Sequence, residues 1–151
     1  MTNRTVRYQG AIRRGDHLLL IKHRENMGDR AYWLLPGGGR ENGESEEECV
    51  EREMQEETNL DVAVESLLFD EPAQHYGTYQ RKKTYLCRIV GGEARPGYEP
   101  EAQAAEIYTI TDIGWFDLRH PENWDALAIS DPITFPQLQR IRTALGYAVL
   151  E

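Results

Sequence analysis

Residues 36–60 run Pro36-Gly-Gly-Gly-Arg-Glu-Asn-Gly-Glu-Ser45-Glu-Glu-Glu-Cys-Val-Glu-Arg-Glu-Met-Gln-Glu-Glu-Thr-Asn-Leu60. Gly37, Gly38 and Gly39 permit backbone angles that other residues resist, and a helix opens behind them at Ser45. Ser45 and Glu48 form a capping box, hydroxyl and carboxylate each satisfying one of the first unpaired amides. Glu46, Glu47 and Glu48 sit at the positive end of the helix dipole. Asn59 ends the helix, asparagine being second only to glycine in a left-handed cap. The far end breaks the electrostatic rule. Glu53, Glu56 and Glu57 occupy the last turns, where the dipole is negative and lysine or arginine is expected, and their spacing crowds them on one face.

At about 100° per residue, Cys49, Glu53, Glu56 and Glu57 share one arc, with Val50 and Met54 beside it and Arg52 flanking its other edge. The carboxylates therefore border the buried stripe. Each like-charge pair costs roughly 0.2–0.5 kcal/mol when exposed and more when desolvated; a divalent cation reverses that sign. Three clustered oxygen donors suit Mg²⁺ or Mn²⁺, hard ions that keep waters and share their shell with phosphate. The competing reading is a solvated acidic face, and Glu46, Glu47, Glu48 and Glu51 are read that way. Zinc spacing is absent: His17, His23, His75 and His120 are scattered.

The 151-residue chain has length for one domain with a substantial core, taken as 1–151 with its core at about 5–145. Of its net charge of −9, eight charges fall between Glu41 and Glu57, where nine glutamates face Arg52 alone. Such a chain lacks the basic face of a long nucleic-acid binder. The longest aliphatic run, Leu18 to Ile21, is far short of a membrane span, and the first ten residues hold no signal-like apolar stretch. Cys49 and Cys87 make no disulfide scaffold and suit the reducing cytoplasm.

Val6 to Arg13 and His17 to His23 read as a hairpin around Arg14-Gly15-Asp16. Arg24 to Arg30 reads as a loop, and Tyr32-Trp33-Leu34-Leu35 as a brief strand stopping at Pro36. Asp61 to Asp70 and Thr84 to Val90 are strand-like. Arg95 to Glu106 reads as a loop, Ile107 to Phe116 as a strand interrupted near Gly114, and Phe135 to Leu145 as a closing amphipathic helix. Strands with one central and one terminal helix give a layered α/β domain.

The stretch resembles the Nudix box, G-x5-E-x7-R-E-U-x-E-E-x-G-U with U aliphatic. Gly38, Glu44, Arg52, Glu53, Met54, Glu56, Glu57 and Leu60 stand at the pattern positions, and Asn59 replaces the final glycine. Because asparagine tolerates the left-handed conformation, the turn is expected to survive. The resemblance implies an α/β/α sandwich with a mixed β-sheet. It also implies hydrolysis of a nucleoside diphosphate linked to a group X, giving a nucleoside monophosphate and phospho-X. By the same resemblance Glu53, Glu56 and Glu57 ligate Mg²⁺, with Mn²⁺ a substitute, joined by a carbonyl of the Gly37-Gly38 turn, for which Gly37 is taken. Glu44 and Arg52 brace the loop against the helix. Glu53 is the first choice of base, and Glu99, Glu101 and Glu106 are candidates outside the box.

For the substrate, Arg24, Arg30 and Arg81-Lys82-Lys83 are candidate phosphate contacts, each also readable as surface cations. Tyr32, Trp33, Tyr76 and Tyr79 are candidate stacking partners. Tyr76 lies near where dinucleoside polyphosphate hydrolases of that family carry a tyrosine. Pro72 is not where ADP-ribose hydrolases usually place their proline, which argues against that substrate. The expected partner is a small nucleotide derivative, with no membrane. Many members of the family dimerise, though no stretch here marks an interface. The alternatives are a non-catalytic nucleotide-binding sensor, which usually loses box carboxylates retained here, and a metal-stabilised structural module.

Overall fold

The computed structural model describes residues 5–73, 79–98 and 107–148. Tyr76, His75, Glu99, Glu101 and Glu106 lie outside them. Among the described residues seven strands form one mixed sheet: β1 (Val6–Arg14), β2 (His17–Glu25), β3 (Ala31–Leu34), β4 (Gly37–Gly38), β5 (Leu60–Pro72), β6 (Arg81–Gly92) and β7 (Tyr108–Asp117). The α-helices lying wholly within the described residues are α1 (Glu46–Thr58), a single turn α2 (Ala126–Ile129) and α3 (Thr134–Ala144).

The hairpin of β1 and β2 is closed only at its turn, where Arg13 pairs with Leu18 and Arg14 with His17. Beyond that the two strands part. β2 takes β3 on one side and runs along β7, while β1 runs parallel to β6 from Val6↔Arg81 to Arg13↔Arg88. The chain from Ala31 to Gly38 fills the wedge, first as β3 on β2 and then as β4 against Tyr8 and Gln9 of β1.

Alternation along the strands sends side chains to two cores. Tyr8, Ile12, Leu19 and Ile21 meet Cys49, Val50 and Met54 of α1 on one face. Ala11, Leu18, Leu20 and Leu35 meet Leu138 and Ile141 of α3 on the other, so helices cover both faces of the sheet. On the second face Trp33, Phe116, Trp124 and Phe135 make consecutive edge contacts. β7 passes unbroken through Gly114, which differs from the interruption expected there. A side chain at Gly114 would lie 3.0 Å from the Trp33 ring and 2.9 Å from Phe116, so the glycine makes room for aromatic packing. No helix among the described residues is long and apolar enough to cross a membrane.

α1 carries the expected caps. Ser45 Oγ accepts from the Glu48 amide and the Glu48 carboxylate accepts from the Ser45 amide, each at 3.0 Å. Asn59 is left-handed at φ 62°, and its amide group donates to Glu93 O at 2.9 Å. Asn59→Gly is therefore expected to stay within about 0.5 kcal/mol of the parent. Asn59→Ala should cost about 1 kcal/mol, read as a lower midpoint in urea titration. Both cysteines are free and buried. Burial pushes each thiol up to about 12, so iodoacetamide at pH 8 should label neither until the chain is unfolded.

Candidate active site

The glycine strand and the last two turns of α1 face each other. β4 lies so close to β1 that a side chain on Gly37 would overlap the Tyr8 carbonyl oxygen and come within 2.7 Å of Gln9 Cα. One on Gly38 would come within 2.5 Å of the Glu53 carboxylate. Neither Gly37, Gly38 nor Gly39 has a positive φ. Gly37 and Gly38 thus serve close approach, in place of the unusual backbone angles that glycine permits.

Glu53 and Glu57 do not border the core but are enclosed by it, at 2% and 1% exposure. Glu57 Oε1 accepts the Gly37 amide at 2.7 Å. Arg52 is the hub of the remainder. Its Nε and Nη2 donate to the two oxygens of Glu44 at 2.6 and 3.1 Å, and Nη2 also reaches Gly39 O at 3.0 Å. Its Nη1 is 3.1 Å from Glu53 and 3.0 Å from Glu56, with Glu41 at 3.8 Å. Glu44 in turn accepts from the Glu41 amide at 3.0 Å. The result ties the glycine loop to the helix through one guanidinium, bidentate on Glu44 as a planar fork allows.

Burial pushes the Glu44 carboxyl up, but hydrogen bonds from Arg52 and the Glu41 amide bring it below the usual carboxylate range. The Glu44 bond likewise holds Arg52 above its ordinary value against burial. For Glu56 burial wins over Arg52 and the carboxyl is raised. Arg52→Lys keeps a charge and loses the fork. Through the loosened loop we expect kcat to fall about 10- to 100-fold with thermal stability little changed, measured by steady-state kinetics beside a melt.

The chain beyond β6 supplies a part of the site that its loop-like sequence conceals. The amides of Arg95, Gly97 and Tyr98 donate to Thr58 O, Glu57 O and Glu56 O at 3.0, 2.9 and 3.1 Å, closing carbonyls that the end of a helix leaves open. Gly97 lies against the Glu56 carbonyl with no room for a side chain. A second concealed residue is Arg7 on β1, buried, donating to Leu35 O at 2.9 Å and Gly37 O at 3.2 Å.

The residues present fit a hard divalent cation. Arg52 brings one positive charge within 4.0 Å of four carboxylates, and Glu57 adds a further buried one at a helix end with no basic residue in its last turn. The donors are all oxygen, the preference of Mg²⁺ and Mn²⁺. Among the described residues no three His, Cys, Asp or Glu side chains yet converge as a cage. Gly37 O accepts from Arg7, and a carbonyl keeps a second lone pair for a cation.

The residues considered for substrate separate into groups. Tyr32 is half-buried against His23 and Tyr108, and Arg30 stacks on it at 5.1 Å while facing Glu25 at 3.7 Å. Arg24 is exposed on β2. The run Arg81-Lys82-Lys83 does not act as one clamp: Arg81 pairs with Asp70 at 2.8 Å, Lys82 with Glu71 at 3.5 Å and Lys83 with Glu46 at 3.0 Å. Alternation along β6 sends neighbouring side chains to opposite faces. Trp33 belongs to the core.

Residues 4–129 match the model of the NUDIX domain family. The chain is 34% identical over 110 residues to the ADP-ribose pyrophosphatase of Methanocaldococcus jannaschii, covering 72% of this chain and 63% of that protein. A nudix hydrolase of Caenorhabditis elegans is 37% identical over 84 residues, 56% of this chain and 22% of its own length. The chain thus spans less than two thirds of both relatives. Among solved structures, an ADP-ribose pyrophosphatase from Streptococcus suis superposes with a TM-score of 0.67 at 25% identity, over 99% of this chain and 97% of that one. A NUDIX hydrolase from Nitrosomonas europaea gives 0.70 at 18% identity over the same shares, a likeness of fold alone.

Proposed function

The chain belongs to the NUDIX family, and from that premise we propose that it is a Mg²⁺-dependent pyrophosphohydrolase acting on a nucleoside diphosphate joined to a group X. The observation that carries the reading is the single guanidinium of Arg52 among four carboxylates, with buried Glu57 beside them against the glycine strand. Glu53, Glu56, Glu57 and the Gly37 carbonyl would hold the ion. When bound, Mg²⁺ neutralises phosphate charge and lowers the pKa of water.

The protein's own work is placement and proton transfer. Arg52 and Glu44 fix the glycine loop against the helix, so the donors are ordered before substrate arrives, which is where the rate advantage of preorganisation lies. The Glu53 carboxylate takes the proton of the attacking water. Bond cleavage at the pyrophosphate then yields a nucleoside monophosphate and phospho-X. Arg24, Arg30 and Tyr32 are the nucleotide-side candidates.

ADP-ribose is the first substrate to test, with AMP and ribose 5-phosphate as products. The names of the archaeal and streptococcal relatives support it and outweigh the objection drawn from Pro72. The reading sets the enzyme among small nucleotides in the cytoplasm. Product analysis with and without EDTA, across ADP-ribose, nucleotide sugars, nucleoside triphosphates and diadenosine polyphosphates, checks it. Metal-dependent release of a nucleoside monophosphate is expected. Tight nucleotide binding without turnover of any of these compounds would replace the enzyme by a sensor.

A further inference from the structure

We propose that Arg7 is a positioning residue for the carboxylate site, setting the glycine strand from β1 and, through it, Glu57. The proposal rests on the reading of that site as a metal-dependent hydrolase and adds to it a residue outside the box. A buried guanidinium is costly unless its donors are satisfied, and at 7% exposure Arg7 spends two of its bonds on carbonyls two residues apart in one segment. Nη2 holds Leu35 O at 2.9 Å and Nη1 holds Gly37 O at 3.2 Å.

Gly37 is then gripped on both sides. Its carbonyl is held by Arg7, and its amide donates to Glu57 Oε1 at 2.7 Å. The next residue, Gly38, abuts the Glu53 carboxylate. Arg7 is itself held in line: its Nε donates to Gln9 Oε1 at 3.3 Å, and Gln9 Nε2 donates to Thr84 Oγ1 at 2.8 Å. A relay Thr84–Gln9–Arg7–Gly37–Glu57 therefore runs from the parallel β1–β6 ladder to the carboxylate. No side chain fits between Gly37 and β1, so the seat of the loop is set by backbone contact and by the Arg7 bonds, and a shift of the guanidinium shifts Gly37 together with the amide that Glu57 accepts. Supporting shells of this kind set ligand geometry, and their loss costs about 10- to 100-fold in metal affinity.

The test uses the full chain with Arg7→Met, Arg7→Lys and Thr84→Val. Amide hydrogen exchange at Gly37 is followed by NMR without metal, Mn²⁺ affinity by electron paramagnetic resonance, and kcat and KM with ADP-ribose. For Arg7→Met we expect Gly37 exchange to accelerate about 10-fold relative to the core amides of Leu20 and Ile21. Mn²⁺ affinity should fall about 10-fold, and kcat should fall with KM held within about 2-fold. Arg7→Lys should fall between parent and Met, and Thr84→Val should move the same readouts less. A folded Arg7→Met protein with unchanged Gly37 exchange and unchanged Mn²⁺ affinity overturns the proposal, whatever its melting temperature. If that variant does not fold, the same unchanged pair of readouts in Arg7→Lys and Thr84→Val overturns it. Should the parent hydrolyse none of the compounds, the function reading falls alone, since the exchange and Mn²⁺ measurements still decide the role of Arg7.

Discussion

Glu57→Gln is expected to lower kcat by about three orders of magnitude, roughly 4 kcal/mol of barrier, in a protein that remains folded. Glutamine conserves volume, and its carbonyl can accept the Gly37 amide that Glu57 Oε1 accepts now. What disappears is a negative oxygen donor, replaced by an NH₂ group that only donates. The stability effect should run the other way. Glu57 stands at the negative end of α1 with Glu53 and Glu56 nearby and no basic residue in the last turn. Removing its charge relieves dipole and like-charge repulsion of about 0.5–1 kcal/mol. In EDTA the variant should therefore melt at or above the parent. On adding Mg²⁺ the parent should gain stability by linkage and the variant should gain much less. Turnover within tenfold of the parent, or an equal Mg²⁺-induced rise, would place the metal elsewhere.

Gly97→Ala should be the most damaging of the glycine-to-alanine changes among the described residues whose surroundings are known. The added carbon would overlap the Glu56 carbonyl oxygen and stand 2.8 Å from the carbonyl carbons of Glu56 and Glu57. Helix backbone cannot give way as a side-chain tip can, so the segment 95–98 must lift and surrender its bonds to Thr58, Glu57 and Glu56. Overpacking plus uncapped carbonyls costs about 3 kcal/mol, a fall in Tm of roughly 6–12 °C at this chain length. Activity should decline as well, since the loosened turn carries Glu56 and Glu57. Gly91→Ala is the control: its added carbon would meet nothing nearer than Asp61 Oδ2 at 3.4 Å, and a loss under 1 kcal/mol is expected. Equal melting of the two variants would show that the segment does not cap the helix.

Gly97 also marks where local sequence stops being informative. The Ser45–Glu48 box and the left-handed Asn59 are legible because every atom involved lies within a few residues. The extended character of β1, β2, β5 and β6 is legible for the same reason, from branched and aromatic runs. Partners across the sheet are another matter. Nothing near Val6 announces a parallel ladder with Arg81, and nothing near Arg7 announces carbonyls 28 and 30 residues away. Gly97 follows Pro96 and carries an ordinary turn signature, while its true constraint is a helix carbonyl far back in the chain. Helical periodicity also stops at the helix surface. It set Glu53 and Glu57 at the edge of the apolar stripe, and the glycine strand and the 95–98 segment packed against that end of the helix are in non-neighbouring sequence.

The wedge between β1 and β2 has a consequence for the order in which a growing chain becomes competent. The glycine strand rests on Tyr8 and Gln9, and the other side of β1 is completed only by β6, with Gln9 joined to Thr84 across 75 residues. Contacts of such separation form late, because loop closure must come before their reward. A nascent chain that has released α1 but not β6 carries every acidic residue of the box without the rigid floor that aligns them. Competence should thus arrive in one step with the parallel ladder, and truncation ahead of Arg81 should leave an acidic peptide with only weak, unselective cation binding.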